Sequence, residues 1–302
     1  MRNKWQKLGL IFNPEIEFKK IDRSCSIVPI VDDIDDNSDI IRIYFTPRDQ
    51  SNKSEFRYFN FNMINFKVEL ISEPLFKHGK LGTFDESGVV VCSIVNVNNQ
   101  KSYYYQGWSL GISVPFLTSI GVAKLHNSSI LRIGDGPIMA QALHEPYCCA
   151  SPTVIFDEDK YKMWYASMDR WEKNGDELKH YYDIKYAESL DGINWHRFSK
   201  GVITYQNDSE YAFGRPFVLK EHNIYKMWYC YRGISYRIGY AESIDGINWN
   251  RMDSTIDLNV SESGWDSEMI EYPTIFDYRN ERYMLYNGNG YGKTGIGLAK
   301  LI

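Results

Sequence analysis

The stretch Tyr161-Lys-Met-Trp-Tyr165 recurs unchanged at Tyr225-Lys-Met-Trp-Tyr229. Downstream of each copy, Tyr186-Ala-Glu-Ser-Leu-Asp-Gly-Ile-Asn-Trp195 matches Tyr240-Ala-Glu-Ser-Ile-Asp-Gly-Ile-Asn-Trp249. The interval between the two motifs is longer in the first copy, which indicates an inserted loop over Ala166–His180. Repetition of this kind predicts an architecture built from copies of one supersecondary unit.

Weaker copies of the same pattern flank this pair. Their paired segments are Ile41–Phe45 with Glu55–Tyr58, Ser102–Tyr105 with Ile120–Ala123, and Tyr283–Tyr286 with Gly295–Ala299. Alternating aromatic residues predict strands, and Asp191-Gly192 and Asp245-Gly246 are typical of tight turns between strands. Five such units predict an all-β fold, a five-bladed β-propeller with four-stranded antiparallel blades. A two-sheet sandwich is the alternative, and it leaves the repeat unexplained.

The chain is predicted to form one propeller domain over residues 1–302. The blades are expected near residues 22–70, 82–135, 148–200, 212–255 and 268–302. The last unit supplies only three strands, so an N-terminal strand over 5–12 is expected to complete its blade. Removal of residues 1–12 should then unfold the protein.

Composition excludes several classes of partner. The 34 Lys and Arg against 39 Asp and Glu give a net charge of -5, which argues against nucleic-acid binding. No apolar run approaches the roughly 18 residues of a membrane span, and no signal peptide is predicted. The five cysteines lack CxxC spacing, which indicates reduced thiols and a cytoplasmic protein. The six histidines lack metal-ligand spacing, and no nucleotide-binding motif is present, so neither a metal nor a cofactor is expected.

In a propeller, the segments before each first strand and after each second strand meet at one rim. The acids there that are candidates for catalysis are Asp85, Glu210, Glu268 and Glu271. The candidates for substrate binding are Arg48, Asp49, Trp108, Arg170, Trp171, Arg215, Arg232, Asp266, Asn287 and Asn289. Carboxylates and amides bind hydroxyl groups, aromatic rings stack on sugar rings, and arginines hold anionic groups. This mixture indicates a sugar ligand.

Two carboxylates across such a rim could act as general acid and general base on a glycosidic bond. Asp85, Glu210 and Glu268 each lie five or six residues before the anchor of a first strand, and Glu271 lies two residues before Pro273. The Asp-Gly turns lie at the opposite rim. There Asp191, Trp195, Asp245 and Trp249 are expected to be structural.

The repeated units resemble the five-bladed propellers of glycoside hydrolase families 43, 32 and 130. Ser189–Trp195 and Ser243–Trp249 carry most of this resemblance. The chain is most similar to glycosylase-like propellers that accompany bacterial surface-polysaccharide genes. That further likeness lies in Leu81–Asp85, Tyr236–Tyr240, Gly264–Met269 and Tyr286–Tyr291.

The resemblance implies catalytic residues that this chain matches only in part. Family 43 enzymes place an aspartate base on the first blade, whereas Ser24–Pro29 holds no carboxylate. Asp85 matches the second-blade aspartate, and Glu271-Tyr-Pro273 resembles the motif of the acid, but in another blade. Family 130 phosphorylases use one acid with phosphate held by basic residues, a part that Arg48, Arg215 and Arg232 could play.

The resulting prediction is a carbohydrate-active enzyme of the hydrolase or phosphorylase type in bacterial polysaccharide metabolism. Its ligand would be a small sugar or oligosaccharide, with phosphorylated and nucleotide-linked sugars included. Two alternatives stay open. One is a sugar transferase or modifying enzyme of surface-polysaccharide synthesis, and the other is a non-catalytic propeller that binds glycans. The sequence does not define an oligomeric state.

Overall fold

The computed structural model describes residues 3–20 and 23–302, and its strands fall into four-stranded units along the chain. Strand β1 (Asn3–Phe12) comes first, followed by helix α1 (Pro14–Glu17) and a short 3-10 helix, Phe18–Lys20. The first unit contains β2 (Ser24–Val31), β3 (Ile40–Arg48), β4 (Arg57–Asn62) and β5 (Lys67–Ile71). Residue 22, where the first blade is predicted to begin, lies outside the described residues.

The next three units follow the same antiparallel order. The second unit contains β6 (Gly88–Val97), β7 (Gln100–Ser109), β8 (Leu117–His126) and β9 (Ser129–Arg132). The third contains β10 (Cys149–Asp157), β11 (Lys160–Asn174), β12 (Glu177–Ser189) and β13 (His196–Arg197). The fourth contains β14 (Ala212–Glu221), β15 (Ile224–Arg232), β16 (Tyr236–Ser243) and β17 (Asn250–Arg251).

The fifth unit is completed from the other end of the chain. After a 3-10 helix (Asp253–Thr255) and β18 (Ile256–Asp257), it contains β19 (Glu271–Tyr278), β20 (Glu281–Asn287), α2 (Asn289–Gly292) and β21 (Ile296–Leu301). β1 pairs antiparallel with β21, from Trp5 opposite Leu301 to Phe12 opposite Ile296. The first strand of the chain therefore pairs with the last.

The first strands of the units contact one another in a closed ring. β2 contacts β6, β6 contacts β10, β10 contacts β14, β14 contacts β19, and β19 contacts β2. Apolar side chains fill the spaces between neighbouring units, such as the cluster of Trp164, Tyr186 and Met227 between the third and fourth. The prediction of an all-β fold built from four-stranded antiparallel sheets is confirmed.

The repeated motifs join neighbouring units through the Asp-Gly turns. Tyr104 Oη donates a hydrogen bond to the Gly192 carbonyl at 3.1 Å, and Trp164 Nε1 donates to the Gly246 carbonyl at 2.7 Å. Gly192 has φ +73°, and a Cβ on it would lie 2.4 Å from Tyr104 Oη, so both conformation and space require glycine. Asp191 Oδ1 accepts from the backbone N–H groups of residues 193 and 194, as a structural turn former does.

The insertion in the third unit is not a loop. β11 and β12 extend through it as a hairpin that stays paired from Ser167 opposite Asp183 to Asn174 opposite Glu177. Gly175, with φ +64°, lies at its turn. In the hairpin the backbone N–H and C=O groups bond each other, whereas in a loop they would bond water. The pairing also places Trp171 opposite His180, in the part of the hairpin that extends beyond the ring.

Candidate functional site

The strand register places five residue pairs at one edge of the ring, here called the upper rim. In each pair, one residue lies at the start of the unit's first strand, and the other lies opposite it on the second strand. The pairs are Ser24 with Arg48, Gly88 with Trp108, Cys149 with Ser167, Ala212 with Arg232, and Glu271 with Asn287. Five predicted site residues therefore occupy matching positions at these pairs, one each in the first, second and fourth units and two in the fifth: Arg48, Trp108, Arg232, Glu271 and Asn287.

Glu271 is a fully buried acid at this rim. Its side chain is 0% exposed, and neither carboxylate oxygen has a hydrogen-bond partner among the described residues. Burial raises the pKa of Glu271 well above its usual range, against the opposing effects of the Arg232 charge and of the nearby Tyr291 backbone N–H. The carboxyl group therefore keeps its proton at pH values where an exposed glutamate is ionised, and it has unused capacity to donate a hydrogen bond.

Tyr291 and Arg232 lie next to this carboxyl group. Gly290, Tyr291 and Gly292 have consecutive φ values of 68°, 58° and 78°, so the chain turns sharply and carries the tyrosine over the rim. Arg232 Nη1 donates to Tyr291 Oη at 2.9 Å, and the Tyr291 ring meets Tyr236 edge-on at 6.0 Å between centroids. Arg232 Nε is buried and has no partner among the described residues.

The extended hairpin supplies an aromatic wall to the same site. His180 packs against Trp171 at 5.6 Å, Tyr182 at 5.5 Å and Phe116 at 6.0 Å between ring centroids. Burial and the charge of Arg232 lower the pKa of His180 to about 4, so its imidazole is neutral near pH 7. A neutral imidazole both donates and accepts hydrogen bonds, as a hydroxylated ligand requires.

Three of the predicted site acids belong to a repeated structural arrangement, which we call the carboxylate clamp. In the clamp a carboxylate before the first strand contacts a cation from the outermost strand, beside a tyrosine of the second strand. Its members are Asp85 with Arg132 and Tyr105, Glu145 with Arg197 and Tyr165, Glu210 with Arg251 and Tyr229, and Asp266 with Lys7 and Tyr286. Asp85, Glu210 and Asp266 are thus positioned to connect the outermost strand of their own unit to its second strand.

The clamp of the fourth unit has the most complete hydrogen bonding. Arg251 donates to both oxygens of Glu210, at 2.8 and 2.9 Å, and also bonds Asp253, which accepts from Tyr229 Oη at 2.6 Å. Burial alone would raise the pKa of Glu210, but the hydrogen bonds and charge of Arg251, together with the Gln206 backbone N–H, outweigh it and lower that pKa. A carboxylate held ionised in this way is a poor general acid.

Asp85→Asn should lower stability without changing the chemistry of the upper rim. Asp85 is 1% exposed and bonds Arg132 Nε at 2.8 Å, so the amide would leave a charged partner poorly compensated. We expect a loss of about 2 kcal/mol, or about 3 °C in Tm for a chain of this length, measured by thermal unfolding. Asp135→Asn is the control, because its exposed pair with Lys80 should contribute little. Equal Tm values for the two variants would contradict the clamp.

The remaining predicted residues of the first three units differ in their exposure. Arg48 lies 5.2 Å from the Trp108 ring and has a buried Nε without a partner among the described residues. Asp49 shapes a turn by accepting from two backbone N–H groups at 2.9 Å. Arg170 is exposed, pairs with its neighbour Asp169 and stacks on Tyr181 at 3.7 Å.

The other predicted residues of the last two units, apart from Arg232 and Glu271, are mainly structural. Asn287 is fully buried and joins the fifth unit to the first through Ser26 and Val28. Asn289 accepts hydrogen bonds from the backbone N–H groups of Glu268 and Met269, and the Glu268 side chain is exposed. Arg215 is 1% exposed and lies within the ring, so it does not line the upper rim as predicted.

Several residues of the site are not predicted from sequence. They are His180, Tyr211, Tyr236, Tyr272 and Tyr291, which surround Arg232 and Glu271. Two of them, His180 and Tyr291, lie in the inserted hairpin and in Gly288–Gly292, segments that stand out in the sequence as departures from the repeat. Departure from the repeat is therefore the signal that could have identified these two.

The described residues contain neither a candidate metal centre nor a membrane-spanning helix. Within residues 3–20 and 23–302, no group of three or more His, Cys, Asp and Glu side chains could hold a metal ion. The part of the chain that the structure describes also contains no helix long and apolar enough to cross a membrane. All five cysteines are free thiols.

Solved structures with this fold include several carbohydrate-active enzymes. The chain superimposes on a structure described as "Glycoside hydrolase" with a TM-score of 0.77 and 17% identity, over 99% of this chain and 92% of the other. A glycosyl hydrolase from Bacteroides ovatus gives a TM-score of 0.70 and 13% identity, over 92% and 84%. A structure of the GH130 family of mannoside phosphorylases gives 0.70 and 13%, over 99% and 94%. At these identities the likeness establishes a shared fold, that of propeller-type glycosidases.

Sequence comparison identifies a nearer relative. No family model matches the chain. A Mycobacterium tuberculosis protein, "Uncharacterized protein Rv1502", is 38% identical over 300 residues, which cover 98% of this chain and 99% of that protein. Identity at this level over nearly the whole of both chains means that this chain belongs to the same family as Rv1502.

Proposed function

We propose that this chain is a carbohydrate-active enzyme whose reaction takes place at the upper rim around Glu271. In this proposal the five units are the blades of a single propeller domain over residues 1–302. The observation that carries it is the Glu271 carboxyl group, which is buried, raised in pKa and without a hydrogen-bond partner among the described residues. A buried acid of this kind suits proton donation to the oxygen of a leaving group.

The surroundings of Glu271 suit a sugar that carries an anionic group. Tyr211, Tyr236 and Tyr291 offer aromatic faces near Arg232, whose Nε has no partner among the described residues. The fifth unit lies between the fourth and the first in the ring, so Arg232 and Arg48 hold matching positions on either side of Glu271. Two arginines with unused N–H groups favour a phosphorylated or nucleotide-linked sugar over a neutral one.

The number of acids at the rim bears on the type of reaction. Hydrolysis by two carboxylates needs a base or nucleophile besides the acid. Asp85 and Glu210 are engaged in clamps, and Glu268 is exposed, which leaves Glu271 as the one buried acid outside an ion pair among the proposed catalytic residues. We therefore favour phosphorolysis or transfer, in which phosphate or a second substrate supplies the nucleophile, over simple hydrolysis.

Two further parts of the proposal concern its setting. Five free thiols favour a reducing, cytoplasmic compartment. The fold of carbohydrate-active enzymes, together with the proposed anionic substrate, favours a role in bacterial polysaccharide synthesis. A glycan-binding propeller without catalysis is the second candidate, supported by the clamped acids.

Sugar phosphates should stabilise the protein through Arg232. A panel of aldose 1-phosphates, sugar nucleotides and neutral oligosaccharides, each near a millimolar, would be compared by thermal shift. Reactions with each aldose 1-phosphate and a neutral acceptor sugar would be followed by phosphate release. We expect the anionic sugars to raise Tm by several degrees and the neutral sugars to have little effect.

Arg232→Met should abolish that shift, and Arg42→Met is its matched control, since Arg42 is an exposed arginine that also stacks on a tyrosine. Binding without turnover of any compound would favour the non-catalytic propeller. Stabilisation by neutral oligosaccharides alone would overturn the proposed anionic substrate, and no response to any sugar would overturn the enzyme proposal.

A further inference from the structure

A second feature lies inside the ring, at a bulge that every first strand contains. In four units the bulge residue precedes proline and has positive φ: Val28 at 53°, Ser151 at 48°, Arg215 at 48° and Tyr272 at 55°. In β6 the register shifts between Val91 and Ser93, which places Cys92 at the corresponding position. Positive φ is unfavourable for residues other than glycine, so the fold maintains these positions against a local cost.

Arg215 reaches across the ring from its bulge. Its Nη1 donates to Thr153 Oγ1 of the third unit at 3.3 Å, and its Nη2 donates to Thr274 Oγ1 of the fifth unit at 3.1 Å. Arg215, a residue of the fourth unit, therefore contacts side chains of the third and fifth units.

All the groups that Arg215 meets are neutral. Its hydrogen-bond acceptors are two threonine hydroxyls and the Pro216 carbonyl, and both hydroxyls donate onward to carbonyls of neighbouring units. Among the described residues no carboxylate forms an ion pair with Arg215. Its Nε is buried and has no partner among the same residues.

Such a group calls for a counter-ion. A guanidinium that is 1% exposed and unpaired would cost several kcal/mol in desolvation, and arginine does not relieve this cost by losing its proton. The counter-ion must be small, because Arg215 is enclosed by packed side chains, and it must carry one charge to match one guanidinium. A halide meets both conditions and accepts hydrogen bonds from N–H, O–H and S–H groups alike.

We propose that Arg215 binds a chloride ion inside the ring through its free Nε–H. The ion would neutralise the guanidinium and so strengthen the contacts that Arg215 makes with the third and fifth units. This site is separate from the proposed catalytic function, because it uses neither Glu271 nor Arg232. The stability of the protein should therefore depend on whether chloride occupies this site.

Chloride should therefore stabilise the protein specifically. Tm would be measured in sodium chloride and in sodium gluconate at equal ionic strength, because gluconate is too large for an enclosed site. We expect a saturable rise of about 3–6 °C in chloride, following the linkage between ligand binding and unfolding. Arg215→Met should remove the chloride-specific rise.

Arg42→Met is the control, because Arg42 is an exposed arginine that belongs to neither proposed site. An undiminished chloride effect in Arg215→Met would overturn the proposal. Should that variant fail to fold, crystals of the unaltered protein grown in sodium bromide decide the question. We expect an anomalous bromide peak beside Arg215 Nε, and a map with bromide elsewhere but none there would overturn the proposal.

Discussion

Glu271→Gln is expected to abolish turnover while leaving the fold intact. Glutamine has the shape of a protonated glutamate and can replace it inside the protein, but it cannot transfer a proton to a leaving group. Loss of a general acid lowers the rate by about 10²–10⁴-fold. The measurement is the rate with the best substrate of the sugar panel, with binding of that substrate followed separately by thermal shift.

Glu262→Gln is the matched control for this variant, since Glu262 is an exposed glutamate nearby in the same chain segment. Its rate should equal that of the unaltered protein. Unchanged turnover in Glu271→Gln, with binding retained, would exclude Glu271 as the acid. Lost binding with unchanged turnover at saturation would instead indicate a role in holding the substrate.

The same variant should change how stability depends on pH. Because the pKa of Glu271 is raised in the folded protein above about 4.3 in the unfolded chain, its stabilising contribution is complete below pH 4.3. That contribution is lost as the pH rises towards the folded-state pKa, and glutamine does not titrate. The Tm of Glu271→Gln minus that of the unaltered protein should therefore increase as the pH rises above about 4.3. A difference that falls as the pH rises would instead indicate an ionised Glu271 paired with Arg232.

Deletion of residues 1–12 has the second large expected effect, the loss of cooperative folding. β1 is the fourth strand of the last unit, and it buries Trp5, Ile11 and Phe12. Phe12 packs against Phe45 at 5.0 Å and Phe59 at 4.6 Å, so the strand also fills the space between the last and first units. Burial of each such side chain contributes about 2–3 kcal/mol, and the net stability of a domain is only about 5–15 kcal/mol.

Far-UV circular dichroism and thermal unfolding would measure the effect of the deletion. A synthetic peptide of residues 1–12, added to the truncated protein, should restore a cooperative transition, and a scrambled peptide of the same composition should not. A truncated protein that unfolds cooperatively near the original Tm would show that the strand is dispensable for closing the ring.

Much of the fold follows from local sequence patterns. Strand alternation and the Asp-Gly turns depend on neighbouring residues, so Tyr161–Tyr165 and Ser189–Trp195 are sufficient to identify one unit and its repeat. The positions at the upper rim follow in turn, because register fixes which residues begin and end the strands. Glu271, Arg232 and Arg48 are predictable for this reason.

The roles of individual acids do not follow in the same way. Asp85, Glu210 and Asp266 are occupied by Arg132, Arg251 and Lys7, which are remote in sequence or come from the other end of the chain. No local pattern records such pairings. One position of the repeat does indicate where the clamps lie. The second-strand motif ends in tyrosine at 105, 165, 229 and 286, and each of these tyrosines lies at a clamp.

The prediction of a loop at the insertion is wrong for a related reason. The strands of the hairpin are rich in charged residues and have no continuous apolar face, so the pattern resembles an exposed loop. Pairing between Ser167 and Asp183 continues the ladder of the blade into the insertion, which a linear pattern does not reveal. The aromatic wall around His180 depends on that continuation.

The pairing of β1 with β21 has a consequence for synthesis in the cell. At about 5–20 residues per second, β1 leaves the ribosome on the order of 15–60 s before its partner does. During that interval an apolar strand has an unpaired edge, which is a hazard for aggregation. Lys4 and Lys7 interrupt its apolar residues with charge, as gatekeeper residues do. Lys7 would thus protect the nascent chain before it pairs with Asp266 in the finished ring.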